Sequence, residues 1–190
     1  MNNLSAMSSA ARAALEKLQA GNRRYCAART NDADISESVR ARSAREGQTP
    51  YAVVIACSDS RVCPEHIFSA GIGELFVIRV AGNVIDRHQL GSVEYATDHL
   101  GASLVVVLGH SGCGAIHAAM CEDTSGGYVA SITDEIRSAI GAERDDLCAC
   151  RKNVSHGVDK IIAALGDLTA RGIGVVGAIY DTARGTVEFL

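Results

Sequence analysis

The sequence predicts an α/β fold, a mainly parallel β-sheet flanked by helices and preceded by an N-terminal helical arm. Three observations carry this prediction. From Tyr51 onward, short β-branched and apolar runs recur with few polar interruptions, the pattern of strands buried on both faces. Stretches of helical character separate those runs, and strand-helix alternation implies a parallel sheet with helices on both faces. Ahead of Tyr51 the apolar residues instead follow a spacing of three and four, the period of an amphipathic helix.

Taken in order, Leu4, Met7, Ala11, Ala14, Leu18 and Tyr25 form a narrow apolar stripe that needs a surface to lie against. The polar stretch from Thr30 to Ser36 holds the turn formers Asn31, Asp32 and Asp34. It separates the first helix from a second, charged one over Ser36 to Glu46. These helices make the arm, residues 1–46. Residues 50–190 make the core, and the whole chain, 1–190, reads as one domain of ordinary size.

Within the core, the strand runs are Tyr51 to Ala56, Leu75 to Arg79, Leu104 to Leu108 and Ile173 to Ile179. Helical character falls around Pro64 to Ala70, Leu90 to Leu100, Ala115 to Cys121, Tyr128 to Ile140 and Asn153 to Leu168. A last segment, Thr186 to Leu190 after the turn at Arg184-Gly185, fits an edge strand. No internal repeat or low-complexity tract interrupts this order.

Composition narrows the function classes. A net charge of −4 with scattered basic residues argues against a nucleic-acid surface. No run approaches the length needed to cross a bilayer, and Met1 to Ala20 lacks a positive leader followed by an apolar core. The expected location is therefore the cytoplasm. Seven cysteines, at 26, 57, 63, 113, 121, 148 and 150, are an odd count that argues against a disulfide framework and toward metal or thiol chemistry.

Open parallel sheets bind ligands where loops leave the carboxyl ends of the strands. The first strand ends in Cys57-Ser58-Asp59-Ser60-Arg61, and the third ends in Gly109-His110-Ser111-Gly112-Cys113-Gly114. His110 and Cys113 are spaced so that a glycine-containing turn points both at one ion, and Cys57 supplies a third ligand. Taken alone, a His-x-x-Cys is common and a free cysteine is often simply buried. Together, both at strand ends, they suit zinc: two thiolates disfavour magnesium and calcium, and a fourth position left to water is the usual catalytic arrangement. Cys63 stands near enough in sequence to close the site as a fourth ligand, although Pro64 after it suggests a helix starting away from the metal.

Asp59 and Arg61 alternate with serines, which turns both toward one side of the loop. A carboxylate beside zinc needs restraint, because otherwise it takes the open position itself. A guanidinium fork supplies that restraint and leaves one oxygen free to accept a hydrogen bond from water on the metal. Away from a metal, the same pair reads as a surface ion pair of little worth.

The pair of motifs Cys57-Ser-Asp-Ser-Arg61 and His110-Ser-Gly-Cys113-Gly resembles the signature of the beta-class carbonic anhydrases. The resemblance extends through Gly21-Asn22-Arg23-Arg24-Tyr25, Gly73-Glu-Leu-Phe-Val-Ile-Arg79, Ala81-Gly-Asn83, Ser92-Val-Glu-Tyr95 and Gly177-Ala-Ile-Tyr-Asp181. It implies one Zn2+ per chain on Cys57, His110 and Cys113, with Asp59 and Arg61 as the catalytic dyad. It also implies that zinc-bound hydroxide hydrates carbon dioxide to bicarbonate. The plant-like branch of the family places substrate contacts at positions matching Gln48, Phe76 and Tyr95. A second branch, inhibited by bicarbonate, uses a tryptophan where Val54 stands, and this chain has no tryptophan. Proteins that look like this one pack the arm across a partner subunit, so a homodimer or a dimer of dimers is expected, with the pocket at the interface. The stripe also fits the chain's own sheet. Relatives that hydrolyse carbonyl sulfide or carbon disulfide share the ligand set, and a noncatalytic zinc or thiol module is the remaining reading.

Overall fold

The computed structural model describes residues 7–28, 31–121, 126–166 and 168–190; Leu4 and Thr30 of the expected arm lie outside them. Helices α1 (Ser9–Ala27) and α2 (Glu37–Glu46) precede strand β1 (Ala52–Ala56). There follow α3 (Pro64–Ile67), β2 (Leu75–Arg79), a single 3₁₀ turn at Ala81–Asn83 and α4 (Arg87–His99). Then come β3 (Leu104–His110), α5 (Gly114–Met120), α6 (Tyr128–Ile140), α7 (Asp146–Leu165), β4 (Gly174–Tyr180) and β5 (Val187–Phe189).

The strands form a five-stranded sheet in the order β2-β1-β3-β4-β5. The first four are parallel, and β5 closes one edge antiparallel to β4. Because successive strand residues point to opposite faces, each run splits between two cores. Val53, Ile55, Val105, Val107, Val175 and Ile179 pack against α4 to α7, while Ala52, Val54, Ala56, Leu104, Val106 and Leu108 pack against α1 and α3. Both faces are covered, which is why β1, β3 and β4 carry unbroken apolar sequence.

Helix boundaries follow their caps. Ser8 and Ser36 accept backbone N–H bonds at the starts of α1 and α2, as N-cap serines do. Asp86 and Gln89 make a reciprocal capping box, so α4 starts ahead of the expected Leu90. Asp145 caps α7 through the amide of Cys148. This helix therefore begins well before Asn153 and takes in Cys148 and Cys150.

The arm's stripe lies on a surface within the chain, the second of the two placements that the sequence allows. Ala11, Ala14, Leu15 and Leu18 of α1 are buried against the sheet's second face. Gly21 lets the helix touch the turn after α3, since a β-carbon there would stand 1.8 Å from the carbonyl oxygen of Phe68. Asn22 locks the contact: Nδ2 donates to Ile67 O at 3.1 Å and Gly185 O at 2.8 Å, and Oδ1 accepts from Val187 N at 2.9 Å.

Candidate metal centre and active site

Parallel pairing of β1 with β3 puts their carboxyl ends side by side, and the two motif loops leave from those ends. Cys57 follows β1, His110 is the last residue of β3, and Cys113 is the N-cap of α5. All three are buried, and their ligand atoms lie within 4.8 Å of one another. Among the described residues they are the one such group of histidine, cysteine and carboxylate side chains.

His110 Nδ1 lies 3.1 Å from the carbonyl oxygen of Ser111. A carbonyl only accepts, so Nδ1 carries the proton and Nε2 presents its lone pair. That Nε2 is buried with no hydrogen-bond partner, a costly state for a polar atom unless a further group meets it. Beside two thiols, the group that fits is a soft divalent cation such as zinc. Hydrogen bonding from the Cys113 thiol draws the Cys57 thiol down to about 4 against the opposing effect of burial. The amides of Asp59, at 3.4 Å, and Gly82, at 3.3 Å, add to that pull. Donating to that sulfur pushes the Cys113 thiol up in turn. Two thiols sharing one proton in this way are a ready pair of ligands for a cation that replaces it.

Asp59 does not join the metal-ligating group. Arg61 holds its carboxylate as a two-point fork, Nε to Oδ1 at 3.0 Å and Nη2 to Oδ2 at 2.7 Å, while the Arg61 amide donates to Oδ1 at 2.9 Å. The guanidinium keeps the carboxyl well below the usual carboxylate range. Arg61 Nη2 also donates to Gly112 O at 3.1 Å, so one side chain ties the β1 loop to the β3 loop. Gly112 sits at φ +65 with open space where a β-carbon would stand. Glycine is needed there for the backbone turn itself.

Cys63 is the N-cap residue of α3 without a side-chain capping bond, its sulfur lies 3.6 Å from Glu65 Oε2, and it stands outside the group formed by Cys57, His110 and Cys113. Phe76 and Tyr95 meet with ring centroids 6.2 Å apart, on edge strand β2 and the half-exposed face of α4. Gln48 lies elsewhere, lining an open surface depression with Arg40, Ser43, Gly47, Ile72 and Gly73. Within one chain the first two are brought together and the third is not.

Two residues that the motifs do not flag support the loops. Arg79 donates from Nε to Cys57 O at 3.2 Å and from Nη2 to Asp59 O at 2.7 Å; the sequence signal is a charged residue ending an apolar strand. Cys150, pushed up to about 12 chiefly by burial, donates its thiol proton to His110 O at 3.1 Å. It reaches that carbonyl because α7 begins at Asp146, ahead of the apolar stretch that the sequence marks as helical.

Comparison with known proteins agrees with this geometry. Residues 52–187 match the carbonic anhydrase family model. Carbonic anhydrase 2 of Mycobacterium tuberculosis is 38% identical over 182 residues, covering 89% of this chain and 87% of the relative. The carbonic anhydrase of Mycolicibacterium smegmatis is 36% identical over 189 residues, covering 93% and 91% respectively. Among solved structures, the beta-carbonic anhydrase of Coccomyxa superposes with a TM-score of 0.67 at 26% identity, over 83% of this chain and 86% of the other. The matched residues take in strands β1 to β4 and both loops that carry the metal-ligating group, and the chain belongs to the beta-class carbonic anhydrase family.

Proposed function

We propose that the protein acts as one zinc-dependent domain that hydrates carbon dioxide reversibly to bicarbonate and a proton. The observation that supports this best is the bare, buried Nε2 of His110 beside the sulfurs of Cys57 and Cys113, with the nearby carboxylate held away by Arg61. Zinc bound there would lower the pKa of a water ligand from about 15.7 toward ~7, so that a nucleophile is available at neutral pH.

The chain's own residues then divide the work. Asp59, ionised and gripped on both oxygens, orients the attacking water by accepting its hydrogen bond and does not compete for the metal. Arg61 fixes that carboxylate and, through Gly112 O, its position relative to His110 and Cys113. Phe76 and Tyr95 offer an apolar wall suited to a small uncharged substrate, and Gln48 is assigned a polar substrate contact. For Gln48 to join that wall, a second copy must complete the pocket. The β2 edge, paired only with β1 among the described residues, and the half-exposed Tyr95 favour a homodimer in which this happens, with dimers pairing further. All seven cysteines are free, which supports a reducing compartment such as the cytoplasm; no helix among the described residues is long and apolar enough to cross a membrane.

The test is stopped-flow hydration near pH 8.5 with carbonyl sulfide and carbon disulfide assayed in parallel. Rapid carbon dioxide hydration with slow or absent turnover of the sulfur substrates is expected. Efficient hydrolysis of carbonyl sulfide or carbon disulfide without hydration would move the assignment to a hydrolase on the same scaffold.

A further inference from the structure

The first turn of α7 meets the β3 loop directly. Asp146 Oδ2 accepts from the amide of Gly112 at 3.0 Å. That amide belongs to the same peptide unit as the carbonyl of Ser111, which accepts the Nδ1 proton of His110 at 3.1 Å. The order is therefore carboxylate, peptide, imidazole, and then the bare Nε2 that faces the two cysteine sulfurs.

We propose that Asp146 is a positioning residue for His110, acting on the metal-binding nitrogen through the Ser111-Gly112 peptide. Metal-ligating histidines commonly donate their second N–H to a carboxylate or carbonyl, which fixes the ring and raises its basicity. Here the carbonyl does the accepting, and a carboxylate at the far end of the peptide polarises it. A negative charge on the N–H side draws electron density toward the carbonyl oxygen and strengthens the bond from Nδ1. The peptide cannot swing away from this role. Ser111 N donates to Tyr180 O at 3.0 Å, Thr182 N donates to Ser111 Oγ at 3.0 Å, and Arg61 holds Gly112 O on the next peptide. Asp145, the N-cap of α7, fixes the start of the helix that presents Asp146.

This inference rests on the zinc reading above, and the experiment separates the two. Zinc affinity is measured by chelator competition for the parent, Asp146→Ala, Asp146→Asn and Asp145→Ala, together with the pH profile of hydration. Asp145→Ala removes a helix cap without touching the Gly112 amide, so it reports what weakening α7 alone does. Loss of Asp146 is expected to weaken zinc roughly 10–100-fold, with Asp146→Asn changing it in the same direction by less. Asp145→Ala should lower thermal stability while keeping zinc affinity within about twofold of the parent. A less basic His110 donates less charge to the metal, so the pH midpoint of hydration should fall in both Asp146 variants. Parent-like zinc affinity in the Asp146 variants, equal weakening in Asp145→Ala, or an unmoved midpoint would overturn the proposal and leave the zinc reading standing. A parent protein that takes up no zinc would overturn both.

Discussion

If Asp59 and Arg61 work as one unit, removing both should cost little more than removing one. Arg61 contributes three contacts to the carboxylate, at 2.7, 2.9 and 3.0 Å. Two of these come from the guanidinium and disappear in Arg61→Ala. The loop backbone stays in place, because Arg79 holds Cys57 O and Asp59 O and the Asp59 amide rests on Cys57 Sγ. Asp59→Asn therefore removes the charge that orients water, and Arg61→Ala leaves the charge but frees it to rotate onto the metal. Loss of a positioned proton-accepting group costs about 10²–10⁴-fold in rate, and each single variant should fall in that range. Groups that act together are strongly non-additive, so the double variant should lie within about tenfold of the worse single one, far short of the product of the two losses. The assay is the initial rate of hydration at matched zinc content. A double variant as slow as the product, or an Arg61→Ala enzyme within about twofold of the parent, would refute the reasoning. The same pair sets a sign for pH. With its folded pKa depressed, Asp59 is ionised above the ordinary carboxyl range, its contribution fading only as pH falls through the lowered value. A carbon-detected titration should show the carboxyl moving upward in Arg61→Ala.

Two further outcomes follow from the packing. Asn22→Ala removes three hydrogen bonds that dock the arm, at roughly 0.5–1.5 kcal/mol each, so urea unfolding should show a loss of about 2–4 kcal/mol; an unchanged midpoint would mean that the arm is not docked on its own chain in solution. Toward a disulfide reagent, the exposed thiols of Cys26, Cys121 and Cys148 should react first in the native protein. Cys150, buried and pushed up to about 12, should react only on unfolding, and its early reaction would contradict its bond to His110 O.

Much of this was legible in the sequence because strand ends are fixed by covalent order. With both motifs at the carboxyl ends of parallel strands, Cys57 and His110 are expected at the same edge of the sheet, and Cys113 follows from the turn at Gly112; that β1 and β3 are direct neighbours is what the structure adds. The Asp59-Arg61 pair was legible for the same reason, being local to one loop. What escaped the sequence depends on elements far apart in the chain. Asp146 and Cys150 sit in a charged stretch whose polarity hid the start of α7, and only the crossing of that helix over β3 brings them to His110. The docking of α1 on its own sheet was equally beyond the stripe, which specifies an apolar partner and not which one. Gln48 shows the opposite case: a position matched by motif alone, which the single chain does not bring to Phe76 and Tyr95.

The most direct test of a zinc anhydrase built on Cys57, His110 and Cys113 is metal reconstitution followed by activity. Protein stripped with a chelator should hydrate carbon dioxide no faster than buffer, and zinc should restore the rate in proportion to occupancy, reaching a plateau near one equivalent per chain, while Cys57→Ser recovers neither zinc nor rate. Full activity in the stripped protein, or a Cys57→Ser variant that binds zinc and turns over like the parent, would contradict the account.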